Sequence, residues 1–430
     1  RRDSVARCPS PAKIAPMKMP PQRIALVAIA LLLLAGGAAW WWRSASSDPS
    51  AFSHRAGQAS MPPGSTKKPG SRDMTAVARM DALMSACNRD VATAFNARAL
   101  QLRQKQDAPS QVAYALAVPL DPSVDAERMP PEQYQRAMLE WHNEIRSALL
   151  RASVLAPDDT DVLWQAATRC GSGNDCRAIQ QALLAAEPEN MAVWLWEMAW
   201  ARSRGDTEAT RVAFERAAAA TRYDIHSGAT HEAMLQGYAG LAMPASCQRP
   251  EVKAANAYMR DLTGAPANTV ETGMLDQALA SAAVNASVSV PPYSVIVQPC
   301  TPALNDAMTP ALRQACKRIH TRLADGDTIM DQVLSSKVML QLTADSSESA
   351  EWRERYRRNR WLYQQQLDPR VQSLYRIEDY AEGEVQMMQA ALEAVDRWPP
   401  PADWLPADEH DRSLILTGRP PVEKKTNQTP

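Results

Sequence analysis

Phenylalanine and glycine are scarce in this chain, at 3 and 16 of 430 residues. A β-rich fold draws on aromatic strands and glycine-dependent turns, so this shortage argues against one. Charge of one sign is missing too: 47 Lys and Arg face 48 Asp and Glu, leaving no overall field to gather nucleic acid or an acidic partner. No Cys-x-x-Cys, no Gly-x-Ser-x-Gly and no Walker-type loop occurs, which removes the strong signals for a structural zinc, a nucleophile elbow and a nucleotide cradle. What is abundant is Ala, Leu, Met, Gln, Glu and Arg, a helix-forming mixture with the Ala and Arg bias of a GC-rich bacterial gene.

One long apolar run stands out near the start. Ile24 to Trp42 is just long enough to span a hydrocarbon core as a helix, and Trp40, Trp41 and Trp42 suit an interfacial belt. Met17 or Met19 is read as the initiator. Arg7, Lys13, Lys18 and Arg23 precede the run, against Arg43 and Arg55 after it, so the N-terminus is expected in the cytoplasm and the bulk in the periplasm. Cleavage after Gly37-Ala38-Ala39 is the competing reading. Half of the 32 prolines fall in residues 1–72 and 398–430. The expected organisation is therefore a cytoplasmic segment 1–23, a single-pass inner-membrane anchor 24–42, a flexible linker 43–72, a periplasmic domain 73–397 and a disordered Pro-rich tail 398–430.

The domain reads as helix after helix. Asp73 is placed as the first N-cap, and Val77, Met80, Met84, Cys87, Val91 and Phe95 form one apolar stripe. A shorter helix is expected over Pro109 to Val118. The strongest pattern runs from Pro131 to Leu155, with Tyr134, Met138, Trp141, Ile145, Leu149, Ala152 and Leu155 on one face. Helices are also expected over Met234–Leu241, Glu251–Leu262, Thr269–Ala283, Pro310–Ala324, Thr328–Thr343, Ser349–Leu367 and Pro369–Arg397. Val288 to Val297 is the single β-like stretch, alternating Val and Ser around Pro291-Pro292.

Within residues 131–223, breaks at Pro157-Asp158-Asp159, Pro188-Glu189-Asn190 and Gly205-Asp206 divide helices around Val162-Leu163-Trp164, Ile179–Ala186, Val193–Arg204 and Thr207–Thr221. Pro188, Trp194, Gly205, Phe214 and Ala217 stand at the offsets of a tetratricopeptide repeat, which this unit resembles. It departs from that pattern at Met198 and Thr210, where small residues are usual, and no Pro closes it after Ala220. The resemblance implies an all-α fold, a right-handed stack of helical hairpins forming a TPR-like solenoid or a compact α–α array. It also implies a concave face that holds a protein or peptide segment. Trp164, Trp194, Trp196 and Arg202 are the candidate face residues, each weighed against a role in helix packing.

Six cysteines follow the apolar run, an even number suited to an oxidising compartment. Cys170 and Cys176 bracket a flexible turn and are paired first, Cys300 and Cys316 flank one helix, and Cys87 is left for Cys247. No metal site is expected: His231-Glu232 begins like a zinc-protease helix, but Leu235 holds the second ligand position. Asp224 and His226 are read as a cap and a packed imidazole before an acid–base pair. The basic run Glu351 to Tyr363 is read as a packed helix with Glu351–Arg355 and Glu354–Arg358 pairs, and Trp352, Tyr356 and Tyr363 near one face. No cofactor, catalytic residue or nucleic-acid partner is assigned. The reading is a membrane-anchored periplasmic interaction module (a scaffold, assembly factor or inhibitor of another envelope protein), with an envelope hydrolase acting on cell-wall or peptide substrates as the alternative.

Overall fold

The computed structural model describes residues 71–117, 129–170, 174–254, 290–302, 308–366, 368–372, 374–375 and 383–421. The expected anchor at 24–42, nearly all of the linker and the helix over Thr269–Ala283 lie outside them. Among the described residues there is no strand, and no helix is long and apolar enough to cross a membrane.

Two long helices open the fold: α1 (Ser71–Gln104) and, after the short α2 (Ala108–Ala117), α3 (Pro131–Leu155). Asp73 lies inside α1 and not at its cap. Pro131 begins α3 at the one turn where a missing N–H costs nothing. Only the C-terminal half of the α3 stripe is buried, through Ile145, Leu149 and Ala152, and Leu155 is 49% exposed because the helix has passed the core by then.

Four helices of similar length follow: α4 (Thr160–Cys170), α5 (Asn174–Ala186), α6 (Met191–Ser203) and α7 (Thr207–Ala219). The α6–α7 hairpin shows why its residues sit where they do. Asn190 caps α6 by accepting from the Ala192 amide, Gly205 turns the chain at φ 72°, and Asp206 caps α7 by accepting from the Ala209 amide. Met191, Leu195 and Met198 then meet Ala213 and Ala217 in a core shared with Ile296, Ile319 and Leu323.

α8 (Ser227–Tyr238) folds back onto α2 and α4, and Gly237 lets it come close: a Cβ there would lie 2.5 Å from the Ala117 Cβ. The stretch read as β-like is helical from Ser294, as α9 (Ser294–Cys300), and it packs on α6 and on α10 (Pro310–Leu323). Its alternation of Val and Ser covered too few residues to outweigh burial of Val295 and Ile296 on those helices. α10 packs on α7 and α11 (Ile329–Leu342), and α11 on α12 (Ser349–Gln365). In place of one long helix after α12, the described residues form α13 (Pro369–Gln372) and α14 (Glu384–Glu393), and Gly383 before α14 has φ 104°.

The expected tail is a correction. Residues 398–421 continue the fold and carry α15 (Glu409–Thr417), which buries Leu414 and Ile415 against α12. Proline-rich composition signalled disorder, but here it supplies acceptors. Arg357 donates to the Pro401 carbonyl and Arg412 to that of Pro406, while Tyr356 and Arg360 grip Asp411 at 2.6 and 2.7 Å.

Disulfides join Cys87 to Cys247, Cys170 to Cys176 and Cys300 to Cys316. The first ties α1 to the segment after α8 beside Val91, Phe95 and Val252, where Arg98 also holds the Gln236 and Gly237 carbonyls.

Candidate functional site

A cleft of about 340 Å³ opens between α4, α5 and α6. Helical spacing builds it. Trp164, Ala167 and Thr168 share one side of α4, Gln180 and Leu183 stand one turn apart on α5, and Val193, Trp196, Ala199, Trp200 and Ser203 recur at three- and four-residue steps on α6. The lining is mainly apolar. Its polar groups are few, as in a site that grips a ligand by shape and orients it with a handful of hydrogen bonds.

The indole N–H groups of Trp164 and Trp196 are closed off from solvent and donate to nothing in the protein. A buried donor without an acceptor costs about 1–3 kcal/mol. Two of the three rings have an occupied face. Trp200 carries Arg177 at 4.0 Å and Arg204 at 3.4 Å from its ring centroid, and Trp164 stacks on His226 at 5.1 Å. Glu197 pairs with Arg177, and Asp206 lies 4.0 Å from Arg204, so the rim is charged but nearly balanced.

Beneath Trp164 lies a polar node. His226 begins α8 in the left-handed region (φ 54°), and its own N–H donates to Asp224. Its imidazole is buried between two carboxylates: Nδ1 lies 2.6 Å from Asp161 and Nε2 3.1 Å from Glu187. Burial opposes a charge there, but the hydrogen bonds to Asp161 and Glu187 more than offset it and hold the pKa at about 9. Burial likewise pushes Glu187 up, yet His226, Asn190 and Arg222 pull it down to about 2. An imidazolium held on both sides is a clamp at neutral pH, not a proton acceptor. The pair Asp224–His226 weighed from the sequence is thus a backbone cap plus a buried cation whose ring partners are other residues.

A second buried carboxylate, Asp331, accepts hydrogen bonds from the Tyr223 and Tyr293 hydroxyls, and burial pushes its pKa up to about 6. Ser227 donates to Asp327 at 2.7 Å close by, so the loop from Tyr223 to Ser227 ties α4 and α5 to the N-terminus of α11. Among the described residues no group of three His, Cys, Asp or Glu side chains could hold a metal ion.

Of the four face residues named from the sequence, Trp164 and Trp196 meet at the cleft. Trp194 does not: its indole donates to the Pro188 carbonyl at 2.7 Å, and the ring packs on the α6–α7 core. Arg202 turns to Gln298 at 2.6 Å. Trp200 and Gln180 were missed. Trp200 was findable, because it stands one turn after Trp196 on the same side of α6. In the basic run, Glu354 pairs with both Arg357 and Arg358, whereas Arg355 turns from Glu351 to Asp325 and the Ala324 carbonyl. Trp352 and Tyr356 are buried, but Tyr363 is 36% exposed.

No family model, characterised protein or solved structure matches this chain.

Proposed function

We propose that this chain is an exported, membrane-anchored interaction module of the bacterial envelope, a TPR-like stack whose α4–α5–α6 cleft holds a segment of another envelope protein. The observation that carries the proposal is the cleft itself: a mainly apolar cavity edged by Trp164, Trp196 and Trp200. Three disulfides support an oxidising compartment, and the apolar run over residues 24–42 supports the anchor. The envelope-hydrolase alternative has no comparable support, since the buried titratable groups described above are held by partners inside the fold.

The test uses a photo-crosslinking amino acid in the full chain, in intact cells, at Ser203 on the cleft or at Glu409 on α15. One envelope protein joined from Ser203, not from Glu409, and lost in an Ala199→Phe variant that fills the cleft, is the expected result. Equal crosslinking from both positions, or capture undiminished by Ala199→Phe, would remove the cleft from the function.

A further inference from the structure

We infer that Asp331 and Glu384, whose carboxyl groups meet at the first turn of α11, form a proton-operated joint: with a proton on the pair it fastens α14 to α11, and with both groups ionised it loosens the first turn of α14. None of its residues lines the cleft, so the joint stands or falls independently of a partner segment there.

Asp331 is the third residue of α11 and is fully buried; Tyr223 and Tyr293 donate to its Oδ1, and its own amide donates to Thr328. Its Oδ2 has no partner among the described residues, and Gly326 closes over it so tightly that a Cβ there would lie 2.8 Å away. Glu384 opens α14 and reaches across to the same turn of α11. Its Oε2 accepts from the Ile329 amide at 2.9 Å and its Oε1 from Gln366 at 2.6 Å. Glu384 is therefore itself a bond between α14 and α11. A second is the Val385 amide, which donates to the Asp327 carbonyl at 3.1 Å. Further along α14, Met388 and Leu392 share an apolar core with Ile329, Leu362 and Val371, which no proton affects. The first turn is the part that a charge can move.

Every donor to the pair is neutral, and the charges around it do not compensate. Asp327, bonded by Ser227, adds a third carboxyl group beside Gly383, with Asp224 behind it. From α12 the facing group is the Gln366 amide, while Arg355 turns to Asp325. On α13, Asp368 holds the cations Arg370 and Arg397. Burial, reinforced by these carboxylates, pushes the Tyr223, Tyr293 and Tyr375 hydroxyls up, so they stay protonated. One negative charge suits the N-terminus of α11; a second, enclosed beside it without a cation, does not. Burial accordingly pushes Asp331 up to about 6, and burial followed by the charge of Asp331 pushes Glu384 up to about 7. A carboxyl group whose pKa is raised by docking holds best at low pH and loses its hold as the pH climbs from about 4.5 towards 7.

The experiment is amide hydrogen exchange of the full chain, read by mass spectrometry over α14 at pH 5 and pH 7 and corrected for the intrinsic rates. Protection of α14 should fall roughly 10- to 40-fold between the two, the span set by a carboxyl group moved from 4.5 to about 7. The fall should vanish in Glu384→Gln, which keeps an acceptor for the Ile329 amide without a charge, and shrink in Asp331→Asn, which removes the neighbouring charge. Exchange of α14 should also respond little to sub-denaturing urea, as a local opening does, while α6 and α7 respond strongly. Equal protection of α14 at both pH values, or a fall that survives Glu384→Gln, would overturn the joint. A fall undiminished in Asp331→Asn would overturn the pairing. Urea dependence of α14 equal to that of α6 and α7 would mean unfolding of the whole chain and would overturn the local release.

Discussion

Replacing His226 by Asn removes the cation between Asp161 and Glu187 while keeping a residue that tolerates the left-handed backbone found there (φ 54°). The magnitude follows from the displacement of the imidazole pKa from 6.5 to about 9. At about 1.4 kcal/mol per pKa unit, the charge is worth about 2–3 kcal/mol once the strong coupling to Glu187 is allowed for. Glu187 registers the same interaction from the other side, so the two contributions are not added. A base whose pKa is raised by folding binds its proton more tightly in the native state. Its contribution is therefore complete below about pH 6.5 and disappears as the pH rises through about 9. The gap in stability between the native chain and His226→Asn should be about 2–3 kcal/mol at pH 6 and shrink to about 1 kcal/mol or less at pH 9.5. Urea titrations followed by circular dichroism at the two pH values measure it, and taking the difference cancels every titration common to both proteins. A gap of equal size at pH 6 and pH 9.5 would mean that the ring is neutral in the fold, and the clamp argument would be refuted.

Glu384 is buried, where desolvation pushes its pKa up to about 7 against the Ile329 amide and Gln366, which bond its charged form. A carboxylate raised in this way costs stability as the pH climbs from about 4.5 to 7, so Glu384→Gln should be near neutral at pH 5 and stabilising by about 1–3 kcal/mol at pH 8, read from urea midpoints. Chain entropy ranks the disulfides: Cys87–Cys247 spans 160 residues and should contribute about 5 kcal/mol, against about 2 kcal/mol for Cys170–Cys176, which spans 6. The Cys87→Ser, Cys247→Ser double variant should accordingly lose more in thermal melting than Cys170→Ser, Cys176→Ser, and equal losses would count against the ranking. Gly237→Ala would set a methyl 2.5 Å from the Ala117 Cβ, forcing α8 away from α2 at about 1–3 kcal/mol, whereas Gly240→Ala meets no atom within 4 Å and tests only a positive φ.

Much of the fold was legible because helix ends are chemical events within four or five residues. Asn190, Asp206, Thr309 and Thr328 each accept from an amide two or three residues on, and Pro131 and Gly205 act through their own backbone limits. The α6–α7 hairpin could be drawn from such signals without knowing anything beyond it. The same local rules misjudged the end of the β-like stretch Val288 to Val297, helical from Ser294, and the segment after Arg397, where distant helices offered a better burial than the local pattern foretold.

The candidate site divides along the same line. Trp164 and Trp196, named from the repeat resemblance, line one cleft, and Trp200 was one turn away. That Trp194 turns to Pro188, that two indole N–H groups are left without acceptors, and that Trp164 rests on a histidine are consequences of packing. His226 finds Asp161 and Glu187 across 65 and 39 residues, and Asp331 meets Tyr223 across 108. By itself the sequence determined where the side-chain-capped helices α6, α7, α10 and α11 begin, because those energies depend on neighbouring residues. Which buried groups find partners was decided only by the tertiary structure, because burial and hydrogen bonding act through space between chain segments that no local period relates.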